Sequence, residues 1–84
     1  MASRVVLFSD AKKDLALLPQ NARERIGTAI DDLVEFPERK TGIKKLKPPF
    51  TGFRKRVGKY RILFEYIDET IFIHGIKDRK DAYR

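Results

Sequence analysis

A two-residue turn in the second half of the chain constrains the fold more than any other feature of the sequence. Gly58-Lys59 separates two β-prone runs, Phe53–Val57 and Tyr60–Ile67. Glycine stands at the first central position, where a type II′ turn requires a positive φ, so the sequence predicts a β-hairpin. The turn also fixes the register, in which five pairs face each other: Val57 with Tyr60, Arg56 with Arg61, Lys55 with Ile62, Arg54 with Leu63, and Phe53 with Phe64.

This register collects three arginines on one face of the hairpin. Side chains alternate along a strand, so Arg54, Arg56 and Arg61 share one face and the apolar side chains share the other. Arg56 and Arg61 then stand directly opposite each other, an arrangement that destabilises an isolated sheet. Two guanidiniums held on a rigid hairpin favour an anionic ligand between them. The alternative is that they are solvated charges on an edge strand, where charge deters unwanted pairing.

The charge of the chain is concentrated in the same half of the sequence. The 84 residues predict one small domain, residues 1–84, and a hydrophobic content of 42% is enough for a compact fold. The net charge is +7, and the first 38 residues are close to neutral. In residues 39–84 the basic side chains are interleaved with Phe, Ile, Val and Tyr. This pattern favours a folded cationic surface for nucleic acid, or for an acidic protein that masks it.

The composition excludes several kinds of site. The chain has no cysteine and a single histidine, which excludes disulfides, thiolate chemistry and the usual zinc sites. No apolar run reaches membrane-spanning length and no signal-peptide core is present, so a cytoplasmic protein without membrane contact is expected. Neither a metal nor a cofactor is expected.

The first half of the chain predicts a strand followed by a helical hairpin. Val5–Phe8 is a short β-rich apolar run, and Ser9 is expected to cap a short helix that ends at Pro19. Asn21 and Glu24 form a variant of the capping box for a second helix. The apolar spacing of that helix continues to about residue 36, and Gly27 inside it is expected to let the two helices approach closely. Its apolar residues are Ala22, Ile26, Ala29, Ile30, Leu33 and Val34.

A connector and one more strand complete the pattern. Arg39–Pro49 is expected to be a polar connector, whose lysines Lys44, Lys45 and Lys47 either bind phosphate or form a flexible basic loop. Thr70–Ile76 is expected to pair with the preceding strand. In that register Phe64 faces Ile73 and Leu63 faces His74, which places Phe72, His74 and Ile76 on the arginine face and Ile71 and Ile73 on the core face. The fold class is α+β: a strand, a helical hairpin and a three-stranded antiparallel meander, with the helices on one face of the sheet.

His74 is the one histidine of the chain, and its role has two interpretations. An imidazole changes its charge near neutral pH and can act as an acid or a base. A lone histidine in the middle of a strand, beside Leu63, is more often structural, and that interpretation is favoured here.

Two stretches of the sequence resemble one known family, the RelE/ParE toxin superfamily of bacterial toxin–antitoxin systems. The first is the hairpin Arg54-Lys55-Arg56-Val57-Gly58-Lys59-Tyr60-Arg61 with Lys45-Leu46-Lys47 before it, and the second is the ending Arg79-Lys80-Asp81-Ala82-Tyr83. The resemblance covers nearly the whole chain and implies the RelE-like, microbial RNase-type fold.

The RelE branch of this superfamily cuts mRNA in the ribosomal A site. The resemblance therefore implies a ribosome-dependent endonuclease, in which the 2′-hydroxyl attacks the adjacent phosphate, without the usual histidine–glutamate acid/base pair. The residues that match the catalytic positions are Arg54, Arg56, Arg61, Lys77, Arg79 and Tyr83, and the RNA-binding candidates beside them are Lys44, Lys45, Lys47, Lys55 and Lys59. Many relatives have histidine where this chain has Asp78, so a histidine-assisted mechanism of that kind is not implied.

The resemblance leaves other functions open and implies a partner. The ParE branch shares the fold but binds DNA gyrase and cuts no RNA, and a non-catalytic RNA-binding module needs the cations without Tyr83. In either toxin branch the expected partner is a small acidic antitoxin, RelB-like in the first, that forms a hetero-oligomer with the toxin.

Overall fold

The computed structural model describes residues 3–80 and has the predicted α+β architecture. The described elements are β1 (Arg4–Leu7), α1 (Ser9–Ala16), α2 (Gln20–Asp32), a 3₁₀ turn (Leu33–Glu35), β2 (Ile43–Lys45), β3 (Phe53–Val57), β4 (Tyr60–Ile67) and β5 (Thr70–Asp78). The strands form one sheet in the order β1-β5-β4-β3-β2. β1 is parallel to β5, and the other neighbours are antiparallel.

The predicted β3–β4 hairpin is confirmed in every pair. Arg56 lies opposite Arg61, and the other four pairs have the expected register. Gly58 has a φ of +58°, whereas Lys59 is not among the residues with positive φ, as a type II′ turn requires.

The helix caps predicted from the sequence are wrong. Phe8 occupies the cap position of α1, because its N–H still donates to the carbonyl of Ile73 and keeps the chain extended up to that point. The helix then begins at Ser9, which makes no side-chain cap. Pro19, in an extended conformation, occupies the cap position of α2, so Asn21 lies inside that helix.

The core lies between the helices and one face of the sheet. Phe36 is at its centre and contacts the rings of Phe53, Phe64 and Tyr66 at centroid distances of 5.1–5.4 Å. Gly27 does not bring the helices together, because a Cβ at that position would have no neighbour within 4 Å. The other buried core residues are Ala11, Ile26, Ala29, Leu33, Ile62, Ile71, Ile73 and Ile76.

The predicted polar connector contains a strand that the sequence did not indicate. β2 pairs antiparallel with β3, and Lys44 lies opposite Arg54. The carbonyl of Gly42 also accepts a hydrogen bond from Arg56 N, 2.9 Å away. A three-residue strand that contains two lysines has too little apolar alternation to be recognised, and it forms here because β3 offers an unpaired edge.

The β4–β5 hairpin departs from the predicted register at one point. A two-residue turn at Asp68-Glu69, with positive φ at both positions, pairs Phe64 with Ile73 as predicted. Leu63, however, pairs with Gly75, so His74 is the extra residue of a β-bulge. The predicted pairing of Leu63 with His74 is therefore wrong.

The bulge exchanges two side chains between the faces of the sheet. Ile76 lies opposite Ile62 and is buried in the core, 4% exposed, rather than on the arginine face as predicted. Lys77 takes the place opposite Arg61. The shift is favourable because it buries an isoleucine that the predicted register would leave outside the core.

Candidate nucleic-acid interface

The face of the sheet opposite the helices carries five cations in register. Ile62 and Phe64 of β4 point into the core, so Arg61 and Leu63 point to the opposite face. Cross-strand partners share a face, which extends this set from β2 to β5. We call this surface the cationic face; it is formed by Lys44, Arg54, Arg56, Arg61 and Lys77.

Arg56 and Arg61 differ strongly in their surroundings. Arg56 is exposed, but Arg61 is only 7% exposed, so the alternative of a solvated edge-strand charge does not hold for Arg61. Arg61 Nη1 donates to the carbonyl of Tyr60 at 3.1 Å and to that of Gly58 at 3.4 Å. The guanidinium is thus folded back on the hairpin turn and has a fixed position, whereas Arg56 extends into solvent.

Lys77 is held at the edge of the sheet by a carboxylate. Its Nζ lies 3.1 Å from Asp14 Oδ2 of α1, and the same oxygen accepts the N–H of Ile76 at 2.9 Å. β1 has ended at this level, so Asp14 takes the position of a neighbouring strand. Gly75 leaves the space for this arrangement, because a Cβ there would lie 3.0 Å from Lys77 Cε and 3.2 Å from Asp14 Oδ2.

The lysines predicted from the sequence to bind RNA do not all lie on the same face of the sheet. Lys44 belongs to the cationic face. Lys45 and Lys55 lie on the helix-facing side, opposite Phe53 and Ile62, and Lys55 Nζ donates to the carbonyl of Thr41 at 3.0 Å.

The remaining lysines lie outside the strands. Lys47 follows β2, and Lys59 is in the hairpin turn with its Nζ 3.9 Å from Asp78 Oδ2.

The C-terminal candidates are only partly described. Arg79 follows β5, is exposed, and donates its backbone N–H to the carbonyl of Lys59 at 2.7 Å. It is therefore placed at the hairpin turn. Tyr83 lies outside the described residues.

Two adjoining concavities lie beside the cationic face and share Leu46 and Phe50 in their walls. The first has a volume of about 440 Å³, and its basic lining residues are Lys44, Lys45, Lys47 and Arg54. The second, about 370 Å³, is lined on its far side by Leu63, Glu65 and His74. A basic cleft next to an apolar one suits a nucleotide, because phosphate binds cations and bases stack on apolar surfaces.

No sequence motif pointed to Glu65. It lies on the same face as the arginines, two residues beyond Leu63, and its Oε1 is 2.6 Å from Nε2 of His74. Alternation along β4 places Glu65 on this face, but the bulge that brings His74 to it has no signal in the sequence.

The described residues give no sign of a metal site or a membrane span. Residues 3–80 contain no cluster of three or more His, Asp or Glu side chains placed to hold a metal ion. Neither helix in this part of the chain is long and apolar enough to cross a membrane.

Comparisons with known proteins agree with the fold. Residues 5–83 match the family model described as the ParE toxin of type II toxin–antitoxin systems. The chain is 35% identical over 82 residues to Toxin RelE3 of Methanocaldococcus jannaschii, and the alignment covers 93% of each protein.

Solved structures of related toxins superpose over almost the whole chain. The RelBE2 toxin–antitoxin complex from Mycobacterium tuberculosis gives a TM-score of 0.81 at 28% identity and covers 94% of this chain and 100% of that chain. The archaeal RelE–RelB complex from Pyrococcus horikoshii gives 0.78 at 28% identity and covers 98% and 100%. The protein therefore belongs to the RelE/ParE toxin family of type II toxin–antitoxin systems.

Proposed function

We propose that this toxin is a ribosome-dependent mRNA endonuclease that inhibits translation. The observation that carries the proposal is the cationic face, where Arg54, Arg56 and Arg61 lie in register on a rigid hairpin. A β-hairpin that holds like charges directly opposite each other is stabilised when an anion lies between them. A phosphodiester of mRNA in the ribosomal A site is that anion in our proposal.

The proposed reaction is attack of a ribose 2′-hydroxyl on the neighbouring phosphate, which yields a cyclic phosphate and a 5′-hydroxyl. Negative charge builds up on the phosphoryl oxygens in the transition state, and preorganised donors stabilise that charge. Arg61 is preorganised by its two backbone acceptors, and Arg56 opposite it supplies a second guanidinium. Neither can accept the proton of the hydroxyl, because arginine stays protonated in proteins.

The remaining candidates have supporting roles in this proposal. Lys77 and Arg79 add positive charge at the end of β5, and Tyr83 stacks on a base or assists the leaving oxygen. Lys44 and Lys47 line the basic cleft and bind the flanking phosphates. Lys45 also lines the basic cleft, although its strand position faces the helices. Lys55 and Lys59 lie outside the cationic face and contribute only long-range attraction.

The proposed partner is a small acidic antitoxin. The two solved relatives from M. tuberculosis and P. horikoshii are toxins in complex with antitoxins. A chain with a net charge of +7 is complementary to an acidic segment, which supports a toxin–antitoxin hetero-oligomer. We place this complex in the cytoplasm, where the proposed mRNA target is translated.

Gyrase inhibition is the second candidate function, because the matching family model carries the name ParE. One pair of assays separates the two functions. In translation in vitro followed by primer extension, the endonuclease produces ribosome-dependent cuts in the mRNA. A gyrase inhibitor instead stops DNA supercoiling and leaves the mRNA intact.

Matched variants connect the assay to the cationic face. Arg56→Ala removes an exposed guanidinium and is expected to abolish cutting, whereas Lys12→Ala removes an exposed cation of α1 and is expected to keep it. Full cutting by Arg56→Ala would count against the proposed site.

A further inference from the structure

The bulge in β5 places a histidine–glutamate pair on the same face of the sheet as the arginines. His74 is the extra residue of the bulge, and its Nε2 lies 2.6 Å from Oε1 of Glu65. Both side chains are partly exposed, 41% for His74 and 35% for Glu65. β-bulges are frequent next to active sites, where the extra residue redirects a side chain.

The imidazole of His74 is held from two directions. Glu65 fixes one ring nitrogen, and its other carboxylate oxygen accepts a hydrogen bond from Thr51 Oγ1 at 3.4 Å. The ring of Phe8 contacts the imidazole edge to face, with centroids 4.8 Å apart. The second ring nitrogen, Nδ1, has no hydrogen-bond partner among residues 3–80. An imidazole oriented by a carboxylate at one nitrogen is suited to accept a proton at the other.

His74 of this pair lies two strands away from Arg54 on the same face of the sheet. Leu63 stands between them, opposite Arg54 on one side and opposite Gly75, the residue after His74, on the other. Adjacent strands are about 4.8 Å apart, so the backbones of His74 and Arg54 are separated by about 10 Å. Both side chains rise from the same face, and the proposal places the ribose between His74 and the phosphate held by Arg56 and Arg61.

The arginines of the cationic face cannot take the proton of the 2′-hydroxyl, and Lys77 is engaged by a carboxylate. Guanidinium groups carry no lone pair for a proton, and the ammonium of Lys77 is held in an ion pair with Asp14. His74 is the one imidazole of the chain. Glu65 is a carboxylate on the same face, but its two oxygens are already engaged by Thr51 and His74.

We infer that His74 is the general base of the mRNA cleavage and that Glu65 is the residue that positions it, an inference that rests on the proposed endonuclease function. Nδ1 takes the proton of the 2′-hydroxyl, and the oxygen electron pair forms the bond to phosphorus. The bond from phosphorus to the 5′-oxygen breaks, and that oxygen takes a proton from water. The imidazolium then returns its proton to the solvent, so no net proton is consumed.

Charged groups face the imidazole from several elements of the fold. Glu65 faces it from β4, Arg54 lies two strands away, and Lys77 with Asp14 flanks it along β5 and α1. A general base acts on the 2′-hydroxyl in its proton-accepting form, so the dependence of the cleavage rate on pH tests the assignment.

The test measures single-turnover cleavage on ribosomes programmed with a defined mRNA, across a range of pH, for the full-length chain. His74→Gln is expected to lower the maximal rate by about 100-fold or more and to flatten the acidic limb of the pH profile, with little change in the toxin concentration that gives half the maximal rate. Glu65→Gln is expected to lower the maximal cleavage rate by less than His74→Gln does and to change the pH profile of that rate. Glu24→Gln, an exposed position on α2, is the control.

Three results would overturn the inference. Wild-type rate and pH profile in His74→Gln would show that another group takes the proton, and the endonuclease function would still stand. A loss confined to the half-saturating concentration would show that His74 binds RNA without transferring a proton. A wild-type chain that cuts no mRNA on the ribosome would overturn the proposed function, and this inference with it. The melting temperature of each variant is measured as well, so that a loss of cleavage caused by unfolding can be recognised.

Discussion

Lys77 lies directly opposite Arg61 on the neighbouring strand, at the position that an uninterrupted ladder would give to Ile76. The β-bulge at His74 causes this exchange. It buries an isoleucine and adds a cation to the face that carries the arginines. A single inserted residue therefore serves both the packing of the core and the charge of the proposed site.

Arg61 and Arg56 are expected to respond differently to substitution by alanine, although they are cross-strand partners. Arg61→Ala truncates a largely buried residue and removes its hydrogen bonds to the carbonyls of Gly58 and Tyr60. We expect a loss of about 1–2 kcal/mol in the free energy of unfolding. Arg56→Ala removes an exposed side chain and a like-charge neighbour, so a change within about 0.5 kcal/mol is expected. Both are expected to lose toxicity.

Thermal unfolding together with growth assays checks this difference. For a domain of this size, 1 kcal/mol corresponds to about 4–8 °C in the melting temperature. Equal melting temperatures for the two variants would mean that the backbone bonds of Arg61 do not stabilise the fold. Normal growth arrest by Arg56→Ala would remove that residue from the proposed site.

Asp14 is expected to stabilise the protein mainly by accepting the backbone N–H of Ile76 in β5. Asp14→Asn keeps an acceptor for the N–H of Ile76 and loses the ion pair with Lys77, whose side chain is 39% exposed and therefore screened by solvent. We expect a cost of no more than about 0.5 kcal/mol. Asp14→Ala loses both contacts and is expected to cost about 1–2 kcal/mol.

Denaturant unfolding of the two Asp14 variants measures the difference between them. Asp31→Asn, at an exposed position of α2, is the control and is expected to be neutral. A similar loss in both Asp14 variants would show that the ion pair, rather than the hydrogen bond to Ile76, holds the edge.

The parts of the fold that the sequence predicts well are those that local chemistry fixes. A glycine at the first position of a two-residue turn determines the whole β3–β4 register, and with it the pairing of Arg56 and Arg61. The helix caps at Phe8 and Pro19 escaped prediction because the sheet and the loop set them, not the side chains of Ser9 and Asn21.

The candidate site is predictable only up to the bulge. The arginines follow from alternation, but the place of Lys77 depends on which isoleucine the core accepts after Ile73. The pairing of His74 with Glu65 is a result of the same choice. Local propensity carries no information about such a competition between buried side chains.

Two glycines are expected to give opposite results when replaced by alanine. Gly27 lies inside α2 with no atom within 4 Å of a new Cβ, so Gly27→Ala is expected to stabilise the protein by about 0.5–1 kcal/mol. Gly52 has a φ of +92°, and its Cβ would lie 2.5 Å from the carbonyl oxygen of Phe64. Gly52→Ala is expected to cost at least about 2 kcal/mol.

Denaturant unfolding of the two alanine variants checks both signs. A loss of stability in Gly27→Ala would contradict the open space found around this position.

Substitutions of Tyr83 can separate stacking from proton transfer in the proposed cleavage. If the ring stacks on a base, Tyr83→Phe keeps most of the activity and Tyr83→Ala loses it, because phenylalanine retains the aromatic surface. Primer extension on translated mRNA measures both. Equal losses would assign the function to the hydroxyl group instead.

Association with the proposed acidic antitoxin is expected to depend strongly on salt. The net charge of +7 attracts an acidic chain over long distances, whereas apolar contacts set the lifetime of the complex. Raising the salt concentration from about 0.05 M to about 0.5 M shortens the screening length roughly threefold. We expect the association rate to fall more than the dissociation rate rises.

Stopped-flow kinetics with the protein encoded beside the toxin measures both rates. Arg56→Gln and Lys12→Gln remove the same charge from the cationic face and from α1, respectively. If the antitoxin approaches the cationic face, Arg56→Gln slows association more than Lys12→Gln does. The difference between the two association rates then disappears at high salt. Equal slowing by both variants would mean that the net charge attracts the antitoxin without directing it to this face. An association rate that is indifferent to salt would contradict electrostatic steering altogether.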